Sequence, residues 1–473
     1  MKFSLEAQDP RSGELRTFDL DDEWPFLFEN GREFNLEHLG GFKAPQPPSK
    51  RMPSYTTHPD YPSAKTHIVE RLLIQVGFAC NYSCAYCSQA TVTGGVSGNP
   101  ADVARFMAML EHVQLGDFND GEGVTAELWG GEPLVYWKTL KPLVEALRTK
   151  FPALKFSMVT NGSLLTPEKV DFIEAMDISV ALSHDGPGQS VRGPDPFDDP
   201  VAGPAIRDLY RRRRPKHKIS FSAMLHADSY RRTAIVDFFR EKTGDPFVVI
   251  SEGGFVLPYH ETGMRLTPHD PSTLFSIRRS LYEELVEHPE LAANFWILRE
   301  DMQKLMRSFA YRHRRDSVPQ LCGKDREGVV TVDLAGNVLT CHQVSADTVA
   351  ANGASHRIGH ISDLAGVRLN TSVSWHHRAS CQTCPVVRLC GGRCMYLQGA
   401  EFAAACEAAY SEKVAVFAAA FRMLTGCHLL RIRSPHLPLH RQILWDGEHP
   451  ELMGAAQSAS PVHKTIPIRA VRA

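Results

Sequence analysis

The chain has 473 residues, 43% of them hydrophobic and 22% charged, the balance of an ordinary globular protein with length for about three domains. Its 52 lysines and arginines against 54 aspartates and glutamates leave a net charge of −2, which argues against a chain built to grip nucleic acid or an acidic membrane surface. No run of about 18 apolar residues is present to span a bilayer, and the opening MKFSLEAQDPRSGEL lacks the apolar centre of a secretory signal, so a cytoplasmic protein is expected.

Residues 1–65 read as an N-terminal extension and linker, because 43–64 carries six prolines, each of which fixes φ and removes a donor. The run 72–76 predicts a strand leading straight into Cys80, Cys84 and Cys87. Short apolar runs then predict strands at 124–129, 156–160, 178–183, 218–225 and 247–250. Helices are predicted between them at 136–150, 167–176, 205–213 and 230–242. This alternation signals βαβ units and a parallel sheet, and right-handed crossovers curl such a series into a partial (β/α)6 TIM-like barrel over 66–255. Loops at the strand C-terminal ends then share one face. Bridging helices at 271–286 and 294–309 fill 256–318. A small cysteine-rich domain is expected at 319–430, and a loosely ordered tail rich in His, Pro and Arg at 431–473.

Eleven cysteines in a cytoplasmic chain read as metal ligands or catalytic thiols before disulfides. They form two groups, separated by 234 residues without a cysteine. The first, Cys80-x3-Cys84-x2-Cys87, lies just beyond the first strand. Three thiolates at this spacing can hold three irons of a [4Fe–4S] cube and leave the fourth iron open; a structural zinc site would need a fourth ligand.

With these residues in view, the chain resembles the radical S-adenosylmethionine (SAM) superfamily. The C-x3-C-x2-C motif with an aromatic before its last cysteine is met by Cys80, Cys84, Tyr86 and Cys87. Its GGEP motif is met by Gly130, Gly131, Glu132 and Pro133, its TNG by Thr160, Asn161 and Gly162, and its S-x-D-G by Ser183, Asp185 and Gly186, with Arg192 downstream. The resemblance implies that SAM chelates the open iron. Gly130 and Gly131 admit the ligand without a β-carbon in the way, and the GGEP segment meets the amino group. Asn161 and Ser183 meet the carboxylate or ribose, Arg192 pairs with the carboxylate, and Tyr86 lies near the adenine.

The second group runs Cys322-x13-Gly336-x4-Cys341, then Cys381-x2-Cys384-x5-Cys390-x3-Cys394-x11-Cys406. It resembles the seven-cysteine SPASM domain, which carries two auxiliary [4Fe–4S] clusters, giving three clusters in all. The resemblance implies that Cys381, Cys384, Cys390 and Cys406 hold one auxiliary cluster fully. Cys322, Cys341 and Cys394 then hold the other with three thiolates. Some relatives supply a further cysteine where this chain has Gly328, so the fourth position is open or filled by Asp325, Glu327 or substrate. Cys427 lies outside the pattern and reads as a small core residue.

SPASM proteins mostly modify peptides or proteins, so the expected function is a maturase that takes a hydrogen atom through a 5′-deoxyadenosyl radical. It would oxidatively modify a ribosomally made peptide by a crosslink or other C–H functionalisation. A flavodoxin- or ferredoxin-type protein is the expected electron donor. An anaerobic sulfatase-type maturase making formylglycine is the alternative; there an aspartate follows the second cysteine of the group, where this chain has His342. His342 is the candidate catalytic base, since imidazole accepts a proton near neutral pH. A non-catalytic metal-binding scaffold is the reading from another class. Residues 1–65 leave too little chain for the leader-binding domain of many maturases. Leader recognition then falls to a separate protein or to the basic run Arg211-Arg212-Arg213-Arg214-Pro215-Lys216-His217-Lys218.

Overall fold

The computed structural model describes residues 2–34, 57–92, 94–95, 97–116, 123–350 and 353–445. The proline-rich linker lies outside them up to residue 56, as does the tail beyond 445. The expected N-terminal extension begins as a sheet: strands β1 (Lys2–Gln8), β2 (Leu15–Asp21), β3 (Phe26–Glu29) and β4 (Arg32–Glu33) form an antiparallel meander. Alternation places Phe3, Leu5, Phe18, Leu20 and Leu27 in the core, the period-2 pattern of a one-sided sheet.

The central sheet follows the βαβ reading. Strands β5 (Arg71–Gln75), β6 (Thr125–Trp129), β7 (Lys155–Thr160), β8 (Ile178–Ser183), β9 (Ile219–Leu225) and β10 (Ile250–Phe255) are parallel neighbours in chain order. Helices α1 (Pro100–Met109), α2 (Trp137–Lys150), α3 (Pro167–Ala175), α4 (Ala202–Arg213) and α5 (Arg232–Thr243) connect them. The sixth strand departs from the expected 247–250. Phe247 is exposed, and the strand runs through Gly253, where a β-carbon would come within 2.3 Å of the Met224 sulfur. Pairing with β9, through a register shift between Ala223 and Met224, overrides the weak strand preference of the glycine pair.

Two helices, α6 (Pro271–Glu287) and α7 (Trp296–Tyr311), follow. The chain then re-enters the same sheet: β11 (Val329–Asp333) pairs in parallel with β5, and β12 (Asn337–Leu339) and β13 (Arg357–His360) add antiparallel neighbours. Helix α8 (Gly399–Thr425) is buried along most of its length and ends on Gly426 at φ 78°, the left-handed stop that glycine supplies. Strand β14 (His428–Arg433) pairs antiparallel with β1. The region expected as a loose tail therefore includes the end of a paired strand and a short helix, Leu439–Gln442, on which Trp445 and Leu444 are buried nearby. Among the described residues no helix is long and apolar enough to cross a membrane.

The parallel strands have two unlike faces. One is packed against the helices: Phe221 on β9 stacks on Phe239 of α5 at 4.1 Å between centroids, and Arg148 of α2 lies over Phe156 of β7. Over β7 to β10 the other face is small and hydroxyl-rich. Ser157 pairs with Ser179, Ser183 with Ser222, and Ser222 with Ser251, and all five are half-buried. A closed TIM barrel fills that space with branched side chains; here short ones leave it partly accessible.

Candidate functional site

The predicted motifs converge at the C-terminal ends of the parallel strands. The first-cysteine loop is stitched to its neighbours by its backbone: Gly131 N–H donates to Gly77 O at 2.8 Å, Glu132 N–H to Ala79 O at 3.0 Å, and Ala85 N–H to Val191 O at 2.8 Å. A β-carbon on Gly131 would sit 2.3 Å from Phe78 O, and one on Gly130 2.8 Å from Gly77 O. The space a side chain would take at these two glycines is filled by the chain entering Cys80.

Glu132 is buried and its carboxylate is engaged by the protein. It accepts from Leu134 N–H at 2.9 Å, Thr160 Oγ1 at 2.6 Å and Asn161 N–H at 2.7 Å. Burial raises its pKa, and these bonds oppose the rise. Asn161 donates from Nδ2 to Asn81 Oδ1 at 3.0 Å and accepts from Ser163, so it ties the third strand end to the cysteine loop. Ser183 closes β8 half-buried on the serine face.

Tyr86, Asp185 and Arg192 form one buried group. The Tyr86 hydroxyl donates to Asp185 Oδ2 at 2.5 Å and accepts from Arg192 Nη1 at 2.6 Å. Arg192 Nη1 also lies 3.6 Å from Asp185 Oδ1, and Asp185 Oδ1 accepts from Met224 N–H at 2.9 Å. Burial and the Asp185 charge push the phenol well above its ordinary value. Asp185, which the sequence reading saw only as part of a motif, is thus the carboxylate that Arg192 faces.

The ten motif cysteines are free thiols and sort into three sets by the charges that act on each. Burial, then Cys87 and Cys80, raise Cys84 to about 11 despite Arg192. Desolvation, then Cys341 and Cys394, raise Cys322 to about 12. Burial, then Cys390 and Cys406, raise Cys381 to about 12, and Cys384 rises for the same reasons. Among the described residues no three His, Cys, Asp or Glu side chains close on a single-ion point. Thiols that sense one another in sets of three, three and four, with no disulfide between them, fit iron–sulfur clusters, which take Cys thiolates as ligands.

The first and second sets are joined by two adjacent residues. Tyr259 O–H donates to Cys394 Sγ at 3.1 Å, and the next residue, His260, lies 3.1 Å through Nε2 from Cys87 O. His260 Nδ1 accepts from Gly263 N–H, so Nε2 carries the proton and donates. Gln89 donates to His342 O at 3.2 Å and Gln75 to the same oxygen at 2.9 Å, fixing the loop after Cys341 against the first loop. The four-thiol set is held from outside by Arg315, which donates to Cys381 O and Cys384 O and pairs with Asp22 at the end of β2. Nothing in the sequence marked Tyr259, Asp22 or Arg441, whose Nη2 donates to Cys406 Sγ at 3.3 Å.

His342 packs on Trp129 with ring centroids 4.1 Å apart, and burial together with Lys324 and Arg71 holds its pKa well below the ordinary value. Its Nδ1 is buried without a hydrogen-bond partner. Of the two carboxylates considered for the fourth position of the second set, Glu327 is exposed; Asp325 is buried with both oxygens unpartnered. The basic run is neutralised: Arg212 pairs with Asp171, Glu174 and Asp208, Arg213 with Asp177, Arg214 with Asp245 and Lys216 with Glu174. Cys427 is buried, as a core residue should be, and accepts from Arg16 at 3.3 Å.

Residues 74–235 match the Radical SAM superfamily model. A radical SAM cyclopropyl synthase, TigE of Paramaledivibacter caminithermalis, is 21% identical over 348 residues, 69% of this chain and 68% of that protein. The solved structure of native anSMEcpe with bound AdoMet (SAM) matches with a TM-score of 0.55 at 18% identity, over 75% of this chain and 99% of that one. The same enzyme with AdoMet and the Cp18Cys peptide matches at 0.52 and 19%, over 75% and 98%. With the cysteine loop, the strand-end motifs and the parallel sheet in one place, residues 74–235 carry a domain of the radical SAM superfamily, whose members use a [4Fe–4S] cluster and SAM.

Proposed function

We propose that this enzyme oxidatively modifies a ribosomally made peptide by C–H functionalisation, using three [4Fe–4S] clusters. The observation that carries this reading is the sorting of ten free thiols into sets of three, three and four, the first two joined by Tyr259 and His260. Cys80, Cys84 and Cys87 would hold the SAM-binding cluster. Cys322, Cys341 and Cys394 would hold one auxiliary cluster, and Cys381, Cys384, Cys390 and Cys406 the other, in a SPASM-type domain spanning about 319–430. When bound, the first cluster and SAM supply a 5′-deoxyadenosyl radical. The protein's own part is to place the substrate. The half-buried serine face of β7 to β10 offers hydroxyls and little bulk, a wall against which an extended, uncharged peptide segment fits.

The cyclopropyl synthase relative directs the choice of product: one C–C bond replaces two C–H bonds and the peptide loses two hydrogens. One would leave as a hydrogen atom to the 5′-deoxyadenosyl radical and the other as a proton to solvent plus an electron, for which clusters held by the seven C-terminal cysteines would be the acceptors. A flavodoxin- or ferredoxin-type donor supplies the first cluster. The neutralised basic run supports leader recognition by a separate protein.

The test is anaerobic reconstitution with short peptides encoded beside the gene. The wild type should release 5′-deoxyadenosine under reductant and give a peptide lighter by two hydrogens, with Cys80→Ala inactive in both. An aldehyde trapped by a hydrazine on a Cys or Ser of a sulfatase peptide would favour a formylglycine maturase instead. Absence of 5′-deoxyadenosine with every peptide would leave the metal-binding scaffold.

A further inference from the structure

Each C-terminal thiol set receives a side-chain hydrogen bond directly on sulfur from a segment outside its own loops, and the two donors differ in kind. At the three-thiol set it is the neutral phenol of Tyr259, 3.1 Å from Cys394 Sγ. At the four-thiol set it is the guanidinium of Arg441, 3.3 Å from Cys406 Sγ. Neither donor belongs to the cysteine motif. Tyr259 comes from the segment after β10 and is held by its neighbour His260, which reaches Cys87 O. Arg441 comes from the short helix after β14 and is aimed by Glu407, which accepts from its Nε at 3.1 Å and its Nη2 at 2.9 Å; Arg441 also lies over the Tyr410 ring. Two segments remote in sequence thus deliver donors to two cysteines of the same motif.

We infer that Tyr259 and Arg441 are positioning residues that set the electron affinity of the two auxiliary sites, one residue for each. The inference rests on the cluster reading of the two sets. A hydrogen bond to a cluster sulfur stabilises the more negative, reduced form, because added charge on the sulfurs strengthens the bond; net charge and hydrogen bonds to sulfur are established determinants of cluster potential. A charged donor acts more strongly than a neutral one. Removing Tyr259 O–H therefore lowers the potential at the Cys322–Cys341–Cys394 site, and removing the Arg441 cation lowers the potential at the four-thiol site by more.

The experiment is an anaerobic redox titration of reconstituted full-length protein, followed by EPR, with iron and sulfide counted in each sample. Tyr259→Phe should shift one auxiliary signal to lower potential by about tenfold in its reduction equilibrium, roughly 59 mV for a one-electron couple. Arg441→Gln should shift the other by at least as much, and Arg441→Lys should recover part of it. In every variant the SAM-cluster signal and the iron count should match wild type. Unshifted potentials at full iron content overturn the inference while leaving the cluster reading intact. Loss of iron from Tyr259→Phe or Arg441→Lys overturns it too, because the residue then holds the cluster and does not merely tune it. Wild-type protein that takes up iron at the first site alone overturns the cluster reading itself.

Discussion

The Tyr86 hydroxyl donates to Asp185 at 2.5 Å, joining the cysteine loop after the first parallel strand to the loop after the fourth. Both groups are buried, and Arg192 closes the set by donating to the same hydroxyl. In Tyr86→Phe the buried Asp185 oxygen loses its donor. The expected cost is about 1–3 kcal/mol, read as a lower denaturant midpoint. Because burial and Asp185 push the phenol well above 10, the wild-type tyrosine should stay protonated when the folded protein is titrated spectrophotometrically to about pH 10. A tyrosinate lost together with Tyr86 in that range would contradict the arrangement.

Glu132 makes a comparable link between the second and third strand ends. Its two oxygens accept from three donors, at Leu134, Thr160 and Asn161. Glu132→Gln keeps the shape but turns one acceptor into a donor, leaving a buried N–H facing another. We expect a loss of about 1–3 kcal/mol and slower, incomplete iron uptake at the first loop. Uptake and thermal midpoint equal to wild type would show that the clasp is dispensable.

What could be read from the sequence follows from where each signal is local. Alternating strands and helices are written in short periodic runs, so five of the six parallel strands fall within about two residues of expectation. The sixth does not, because Gly253 and Gly254 carry no strand preference and only the partner β9 places them. The β1–β2 hairpin does carry a local signal, strict alternation through KFSLEAQ and over the TFDLD of β2. Helix α8 had one as well, an alanine-rich run ending at Gly426, overshadowed by its single motif cysteine. Tyr259, Asp22 and Arg441 had none: each reaches its cysteine loop from a distant segment, and only the tertiary fold brings it there.

The thiol sets predict a pH dependence for the metal-free chain. Cys84 near 11 and Cys322 and Cys381 near 12 lie above the ordinary thiol value of 9.0. A raised pKa means the folded chain holds these protons more tightly than the unfolded one. That stability is complete below the ordinary value and is lost as pH rises through the folded values. The urea midpoint of metal-free protein should therefore fall between about pH 9 and pH 11. Loading with iron and sulfide at neutral pH should release protons, since ligation needs thiolates. A midpoint that rises over this range, or loading without proton release, would contradict the thiol environment described here.

The paired basic run predicts insensitivity. Arg211, Lys216 and Lys218 each meet an acidic partner on the protein itself, Asp208, Glu174 and Asp177. Replacing all three with Gln should leave affinity for an acidic peptide within about twofold and the denaturant midpoint nearly unchanged, because exposed pairs contribute little. A collapse of peptide binding in the triple variant, measured by fluorescence anisotropy, would restore this surface as a leader site.

A buried ion chain behind the four-thiol set gives the strongest stability prediction. Arg232 of α5 donates to Glu412 Oε1 at 3.0 Å; Lys413 donates to the same oxygen at 3.1 Å and to Asp301 of α7 at 2.7 Å. All four residues are buried, so α8 is locked to the barrel and to α7 through charges that water cannot screen. Burial works against the Glu412 charge, but Lys413 and Arg232 outweigh it and hold the carboxyl near 2, below its ordinary 4.5. A depressed carboxylate contributes stability that is present above the ordinary value and lost as pH falls through the folded one. Glu412→Gln removes the carboxylate that Arg232 and Lys413 share and should cost about 3–5 kcal/mol at neutral pH. The gap between wild type and variant should narrow between about pH 4.5 and pH 2, as wild-type Glu412 also becomes neutral. Denaturant midpoints of both proteins across that range measure it, and a gap that holds constant down to about pH 2 would mean that the side chain's packing, not its charge, is what locks α8 in place.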